Sequence, residues 1–239
     1  MPTKALTWCC AICPTAENGT TACKWDSVIP FEPLWKQYER VIKDNGAIVL
    51  FSAQPFTTAL IHSKILFFKY SWVWDKVQPS NFLNARIQPL RQHEDINVFY
   101  KKQCLYNRQF EKRKLKDQRV NAIKNKQNQK DQNGQEHTGK HNMGYSEDYD
   151  YTKINPKSII SFTRQPKRIK LQHPTQKPIA LMEYLIKTYT NKGETVLDNC
   201  MGSGTTGVAC KKSNRNFIGI EKDETYFKLA VDRVSAYCG

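Results

Sequence analysis

The feature that most constrains this chain is a glycine-rich run near its C-terminal end, Asp-Asn-Cys-Met-Gly-Ser-Gly-Thr-Thr-Gly, from Asp198 to Gly207. Thr195–Asp198 reads as a strand, and Thr205–Lys212 reads as a helix. Asn216–Glu221 (NFIGIE) is then a second strand, and a last helix runs through Tyr226 and Val234. Together they make one β-loop-α-β unit, with a right-handed crossover expected. Gly202 and Gly204 let the backbone pass close to a ligand at the strand's carboxyl end. The helix N-terminus offers amides near Ser203, Thr205 and Thr206, and Glu221 ends the second strand, where a carboxylate can accept from ribose hydroxyls.

The spacing leaves more than one ligand open. Gly202, Gly204 and Gly207 satisfy GxGxxG, a dinucleotide signature, whereas GxxxxGK[ST], the phosphate-cradling loop, is absent. Position argues against the dinucleotide. Such folds open with this loop, and here only one strand follows it. The other strands must come from the N-terminal half, which makes the order circularly permuted.

That half supplies them. Phe31, Leu34, Trp35, Tyr38 and Ile42 recur at helical spacing over Phe31–Lys43, Gly46 is expected to end the helix, and Ala47–Ser52 reads as a buried parallel strand. Thr57–Lys64 reads as a helix, and Tyr70–Trp74 and Ile96–Tyr100 as strands. Asn81, Asn84, Arg86 and Arg91 fall in a polar connection that could face DNA or simply cap strands. Pro174, Gln176 and Pro178 lead into an amphipathic helix, Ile179–Tyr189, which Asn191, Lys192 and Gly193 end.

Residues 104–160 are different. Lys, Arg, Asn, Gln and Asp dominate them, with too little apolar surface to fold alone, so they read as a solvated insertion or a DNA-contacting loop. The net charge of +15 points to a polyanion, nucleic acid first. No run approaches the roughly 18 apolar residues of a membrane span, so no membrane partner is expected. Eight cysteines show no paired framework, which suits a reducing cytoplasm. Cys9, Cys10, Cys13 and Cys23 do not complete a zinc ligand set, so no metal is expected.

HPTQKP (His173–Pro178), VLDNCMGSGTTGVAC (Val196–Cys210) and NFIGIE together resemble the DNA N6-adenine/N4-cytosine methyltransferases of the β arrangement. In that arrangement the catalytic region comes first, target recognition lies in the middle and the S-adenosylmethionine region is last. The resemblance extends back through Gly19–Phe31, Ala47–Phe56 and Tyr70–Lys76. It implies one α/β domain over 1–239, a Rossmann-like S-adenosylmethionine methyltransferase fold with permuted strand order, and 104–160 as the target-recognition insertion. It further implies that His173, Thr175 and Lys177 border the methionine part of the cofactor. Asp198, Met201, Gly202, Ser203, Gly204 and Thr205 would wrap it, and Glu221 would hold the ribose. Asn199 and Cys200 depart from the family's D-P-F-M-G-S-G. The implied partner is double-stranded DNA, and relatives of this arrangement often form homodimers.

One part of the family pattern is missing. An exocyclic base amine is a poor nucleophile because its lone pair is delocalised. The family answers with a D/N/S-P-P-Y or D-L-P-Y tetrad whose acceptors take the amine hydrogens and whose ring stacks on the flipped base. The tetrad is expected directly before GTTACKWD (Gly19–Asp26), but Thr15, Ala16, Glu17 and Asn18 stand there. Codons for Ala11–Ala16, read from the third base, permit Asp-Leu-Pro-Tyr-Gly. The same frame carried back to Met1 permits Ala-Asp-Lys-Ser-Val-Asp-Met-Val-Leu-Cys. The expectation is therefore that residues 1–18 are not native methyltransferase sequence and that the chain as written methylates poorly. Adenine-N6 is favoured by the recoverable Asp. The alternatives are cytosine-N4 specificity, or an inactive homologue that still binds S-adenosylmethionine and DNA.

Overall fold

The computed structural model describes residues 6–12, 29–80, 82–113, 153–163 and 176–237. Two compact units are present, Met1–Asn107 with Lys157–Gly239, and Arg108–Pro156. The strands are β1 (Leu6–Ile12), β2 (Ile42–Ser52), β3 (Phe68–Ser80), β4 (Arg91–Phe99), β5 (Glu111–Lys112), β6 (Lys153–Ile154), β7 (Ile159–Ser161), β8 (Thr195–Asp198) and β9 (Asn216–Gly219). The helices described are α1 (Phe31–Val41), α2 (Phe56–Ser63), α3 (Ile179–Tyr189), α4 (Thr205–Lys212) and α5 (Glu224–Ala236).

The larger unit holds a seven-stranded sheet in the order β7-β3-β4-β2-β1-β8-β9. β4 runs antiparallel to both neighbours, and the other six strands share one direction. The N-terminal strands therefore do complete the sheet begun by the glycine loop. β2 shows why both faces are covered. Ile48 and Leu50 pack with Leu34, Trp35 and Tyr38 of α1 and Leu60 of α2. Ala47, Val49 and Phe51 face the other way, into Leu181, Met182, Leu185 and Ile186 of α3 and Ala209 and Cys210 of α4. A strand buried on both sides has no polar alternation, which is why AIVLFS is continuous.

Several expectations shift at the edges. α1 ends at Val41, and Gly46 lies inside β2 instead of stopping the helix. Ile42 is buried and already pairs with Leu6, while Trp8 pairs with Ala47, so residues 43–46 bulge out of the ladder. β3 and β4 are longer than their apolar stretches, continuing through the pairs Trp74–Glu94 and Asp75–His93. β9 stops at Gly219, which leaves Ile220 and Glu221 in the following loop.

The largest departure is β1, which the sequence reading did not identify as an element. It lies mid-sheet between β2 and β8, with Cys9 opposite Leu197 and Cys10 opposite Asp198. The expected tetrad positions, Thr15–Asn18, lie outside the described residues.

Cys104 and Ile160, at the margins of the polar segment, belong to the core of the larger unit. The smaller unit pairs Glu111 with Ile154 and Lys112 with Lys153. Within it, Arg108 sits 4.8 Å and Lys153 5.6 Å from the Phe110 ring centroid. Among the described residues no helix is long and apolar enough to cross a membrane.

Candidate active site

The carboxyl ends of the six parallel strands converge where β8 gives way to the glycine loop. Ile220 N–H donates to the Asp198 carbonyl at 2.9 Å, Met201 N–H to the Ile220 carbonyl at 3.1 Å, and Gly204 N–H to the Met201 carbonyl at 2.8 Å. These bonds tie the loop to the segment after β9. Gly204 begins α4 at φ 75°, a left-handed conformation that a side chain disfavours, and a Cβ there would lie 2.9 Å from Ala230 Cβ of α5. Gly207 serves close approach: a Cβ there would meet the Phe217 ring and Val234 at 2.7 Å. Two of the three glycines therefore pack helices against the strand pair.

Glu221 caps the loop from the segment after β9. Its Oε2 accepts from Gly202 N–H at 2.8 Å, and its Oε1 accepts from the amides of Lys222 and Asp223 at 2.9 and 3.0 Å. Its position in the loop beyond β9 allows this reach.

Asp198 is buried at the end of β8. Thr206 Oγ1 donates to its Oδ2 at 2.5 Å, and Cys200 N–H to its Oδ1 at 3.1 Å. Among the described residues no cationic side chain pairs with it. Burial pushes its carboxyl up to about 6, with the negative charge of Glu221 adding to the effect and the two hydrogen bonds opposing it. A raised folded-state value means this group favours folding below the unfolded value of 3.8, and that contribution is lost as pH rises through about 6. Asp198→Asn is therefore expected to be more stable than the parent near about pH 8, by up to about 3 kcal/mol, and equal to it near about pH 4. Thermal melting at both pH values checks this; a variant less stable at both would refute it.

The segment before α3 meets the same region. Gln176 Oε1 accepts from Ser203 Oγ at 3.2 Å. Arg233 of α5 donates to the Ser203 carbonyl at 2.9 Å, to Ser203 Oγ at 3.0 Å and to Thr205 Oγ1 at 3.2 Å. Lys177 is buried, with its ammonium 2.5 Å from Glu94 Oε2 and 5.2 and 5.3 Å from the Phe51 and Trp74 ring centroids. Lys76, more deeply buried, holds the other oxygen of Glu94 at 2.6 Å. Burial alone would raise the Glu94 carboxyl, but Lys177 and Lys76 outweigh it and hold it at about 2.

Of the residues expected from sequence, Asp198, Met201, Gly202, Ser203, Gly204, Thr205 and Glu221 thus form one bonded assembly, joined by Gln176. Lys177 is anchored to the β3–β4 hairpin. His173 and Thr175 lie outside the described residues. Arg233, Lys76, Glu94 and Tyr38, whose hydroxyl donates to Asn199 Oδ1 at 2.9 Å, were not expected. Arg233 carries no local motif, whereas WDK facing HE across a hairpin is a signal that strand register could have exposed.

Solved structures share this architecture. The M1.HpyAVI–SAM complex matches with TM-score 0.59 at 26% identity, covering 96% of this chain and 90% of that one. PvuII DNA methyltransferase (cytosine-N4-specific) matches with TM-score 0.62 at 14% identity, over 97% and 80%, a likeness of fold alone. The fold is that of a Rossmann-like S-adenosylmethionine methyltransferase with permuted strand order. The N6/N4 DNA methylase family matches residues 20–232, and this chain belongs to it. The family's methyl donor is S-adenosylmethionine. Type II methyltransferase M2.DpnII of Streptococcus pneumoniae is 43% identical over 76 residues, 32% of this chain and 28% of that protein. Type II methyltransferase M.BglI of Bacillus subtilis is 49% identical over 65 residues, 27% and 19%. The aligned part thus spans less than a third of either relative.

Proposed function

We propose that this chain carries an S-adenosylmethionine site built on Asp198, the loop Met201–Thr205 and Glu221, and is built for adenine-N6 methylation of double-stranded DNA in the cytoplasm, an activity impaired in the chain as written. The observation that carries the reading is Asp198: a buried carboxylate with no cationic partner among the described residues costs stability and waits for a positive ligand group. The ammonium of the methionine part of S-adenosylmethionine is such a group, and its ribose hydroxyls suit Glu221. His173, Thr175 and Lys177 complete the methionine side in this reading. When bound, the cofactor supplies a methyl group on a sulfonium. The chain's own part is to hold the ammonium and ribose, exclude water and position the base amine.

The chain as written has no D/N/S-P-P-Y or D-L-P-Y tetrad at Thr15, Ala16, Glu17 and Asn18: Glu17 could accept a hydrogen bond, but no proline or aromatic partner accompanies it. This favours a second state of the same reading, cofactor and DNA binding without turnover. The family match covers residues 20–232 and so does not include these positions. Calorimetry with S-adenosylmethionine, paired with tritiated methyl incorporation into mixed-sequence duplex DNA, tests both parts. Binding is expected, weakened roughly 10- to 100-fold in Glu221→Ala, the worth of hydrogen bonds to a charged group. Incorporation is expected at background. Binding indifferent to Glu221→Ala would overturn the site, and clear incorporation would overturn the impairment.

A further inference from the structure

The hairpin between β3 and β4 ends at the same side of the sheet as the glycine loop, because β3 runs with the parallel strands and turns at their carboxyl ends. Its arms are closed by the pair Ser80–Arg91, with Ser80 Oγ donating to the Arg91 carbonyl at 2.9 Å. Beyond that pair the chain forms a short 3-10 turn, Phe82–Asn84. Ala85 N–H donates to the Phe82 carbonyl, and both Ile87 and Gln88 N–H donate to the Asn84 carbonyl, at 3.0 to 3.1 Å. The tip is thus held by its own backbone, yet Phe82, Leu83 and Ile87 are 64%, 98% and 81% exposed.

A backbone-ordered loop that presents three large apolar side chains to water has a surface awaiting a partner. The charges around it select the partner. Between Val77 and Gln92 the ionisable side chains are Arg86 and Arg91, with no carboxylate. Arg86 is exposed, and Arg91 lies at the foot of the tip. Lipid or protein surfaces would take the apolar part, but two arginines with no carboxylate between them, on the same side of the sheet as the glycine loop, suit the phosphates of a nucleic acid.

We propose that Phe82, Leu83 and Ile87 form a wedge that enters duplex DNA and unstacks a base step, while Arg86 and Arg91 hold the flanking phosphates. An apolar side chain inserted between base pairs fills the space that unstacking opens. Leu83, almost fully exposed, is the leading residue. The proposal rests on the reading of this chain as a DNA-acting enzyme, and it assigns to the hairpin a duplex-deforming role separate from sequence recognition.

The test is the full chain with S-adenosylmethionine on closed circular plasmid relaxed by a topoisomerase, where a wedge lowers the linking number. Affinity for a mixed-sequence duplex is measured by anisotropy in parallel. The parent chain is expected to lower the linking number. The triple variant Phe82→Ser, Leu83→Ser, Ile87→Ser is expected to lose that shift, with affinity reduced less than about threefold. Arg86→Ala with Arg91→Ala is expected to lose about tenfold in affinity and to flatten the salt slope by about 2. All substituted side chains are exposed or at the foot of the loop, and an unchanged melting midpoint checks the fold. A shift retained by the triple variant, or normal affinity with no shift in the parent, overturns the wedge. Absence of any duplex affinity in the parent would instead overturn the DNA reading itself.

Discussion

Replacing the first eighteen residues with Met-Ala-Asp-Lys-Ser-Val-Asp-Met-Val-Leu-Cys-Asp-Leu-Pro-Tyr is expected to raise methyl incorporation by at least roughly 10²–10³-fold, the scale of one preorganised hydrogen-bonding group at a reacting centre. The position of β1 gives the reason. Cys10 lies opposite Asp198 in the sheet, so the chain leaving β1 emerges beside the glycine loop. β1 itself therefore ends on the glycine-loop side of the sheet. As written, Cys13 and Pro14 lead into Thr15, Ala16, Glu17 and Asn18, where Glu17 could accept a hydrogen bond but the tetrad's proline and aromatic ring are missing. Restoring the tetrad would supply both without changing the strand's place, since either frame fills it with mainly apolar residues. Tritiated methyl incorporation checks this, with cofactor affinity measured alongside. A restored chain that binds S-adenosylmethionine and still transfers nothing would refute the account of the N-terminus.

Glu94→Ala is expected to cost about 3–5 kcal/mol of stability, the usual consequence of removing one partner from a buried ion pair. Here the loss would remove the carboxylate shared by two buried ammonium groups, Lys76 and Lys177, which lie near the rings of Trp74 and Phe51. The pH dependence follows from the depressed carboxyl value. A lowered folded-state value means the stabilisation is fully present above the unfolded 4.5 and is lost as pH falls through about 2. Urea denaturation near neutrality and again in acid would show the parent losing about 3 kcal/mol that the variant never had. Equal stability of the two near neutrality would mean that the lysines are satisfied without Glu94. Since Lys177 also closes the segment bonded to Ser203 through Gln176, the variant is expected to bind cofactor more weakly as well.

The parts of the site legible in the sequence are those encoded locally. Asp198, the glycine loop and Glu221 fall within one β-loop-α-β unit, and short-range spacing suffices to join them. Lys177 was legible only as a member of HPTQKP, because its partner Glu94 lies 83 residues away and depends on hairpin register. Arg233 is a similar case, set on a helix face by packing. The limits of α1 and β2 were misread at Gly46 because glycine signals both helix ends and bulges, and burial of Ile42 against Leu6 decided between them. The hairpin tip was read as polar because Asn and Arg dominate it, and only the exposures of Phe82, Leu83 and Ile87 reveal its other character.

The mid-sheet seat of the first strand also governs the order in which a ribosome can finish this molecule. β2 can dock on one side of β1 early, but β8, its neighbour on the other side, begins only at Thr195. At about 5–20 residues per second, the roughly 180 residues between them take about 10–40 s to emerge. For that interval the nascent chain carries a strand open along one edge in the middle of its future core, a template for pairing with other chains. A cofactor site that uses Glu221 can form only after that residue too has emerged. A chain cut short anywhere before β8 would thus be left both ligand-free and adhesive, a natural target for chaperones and proteases.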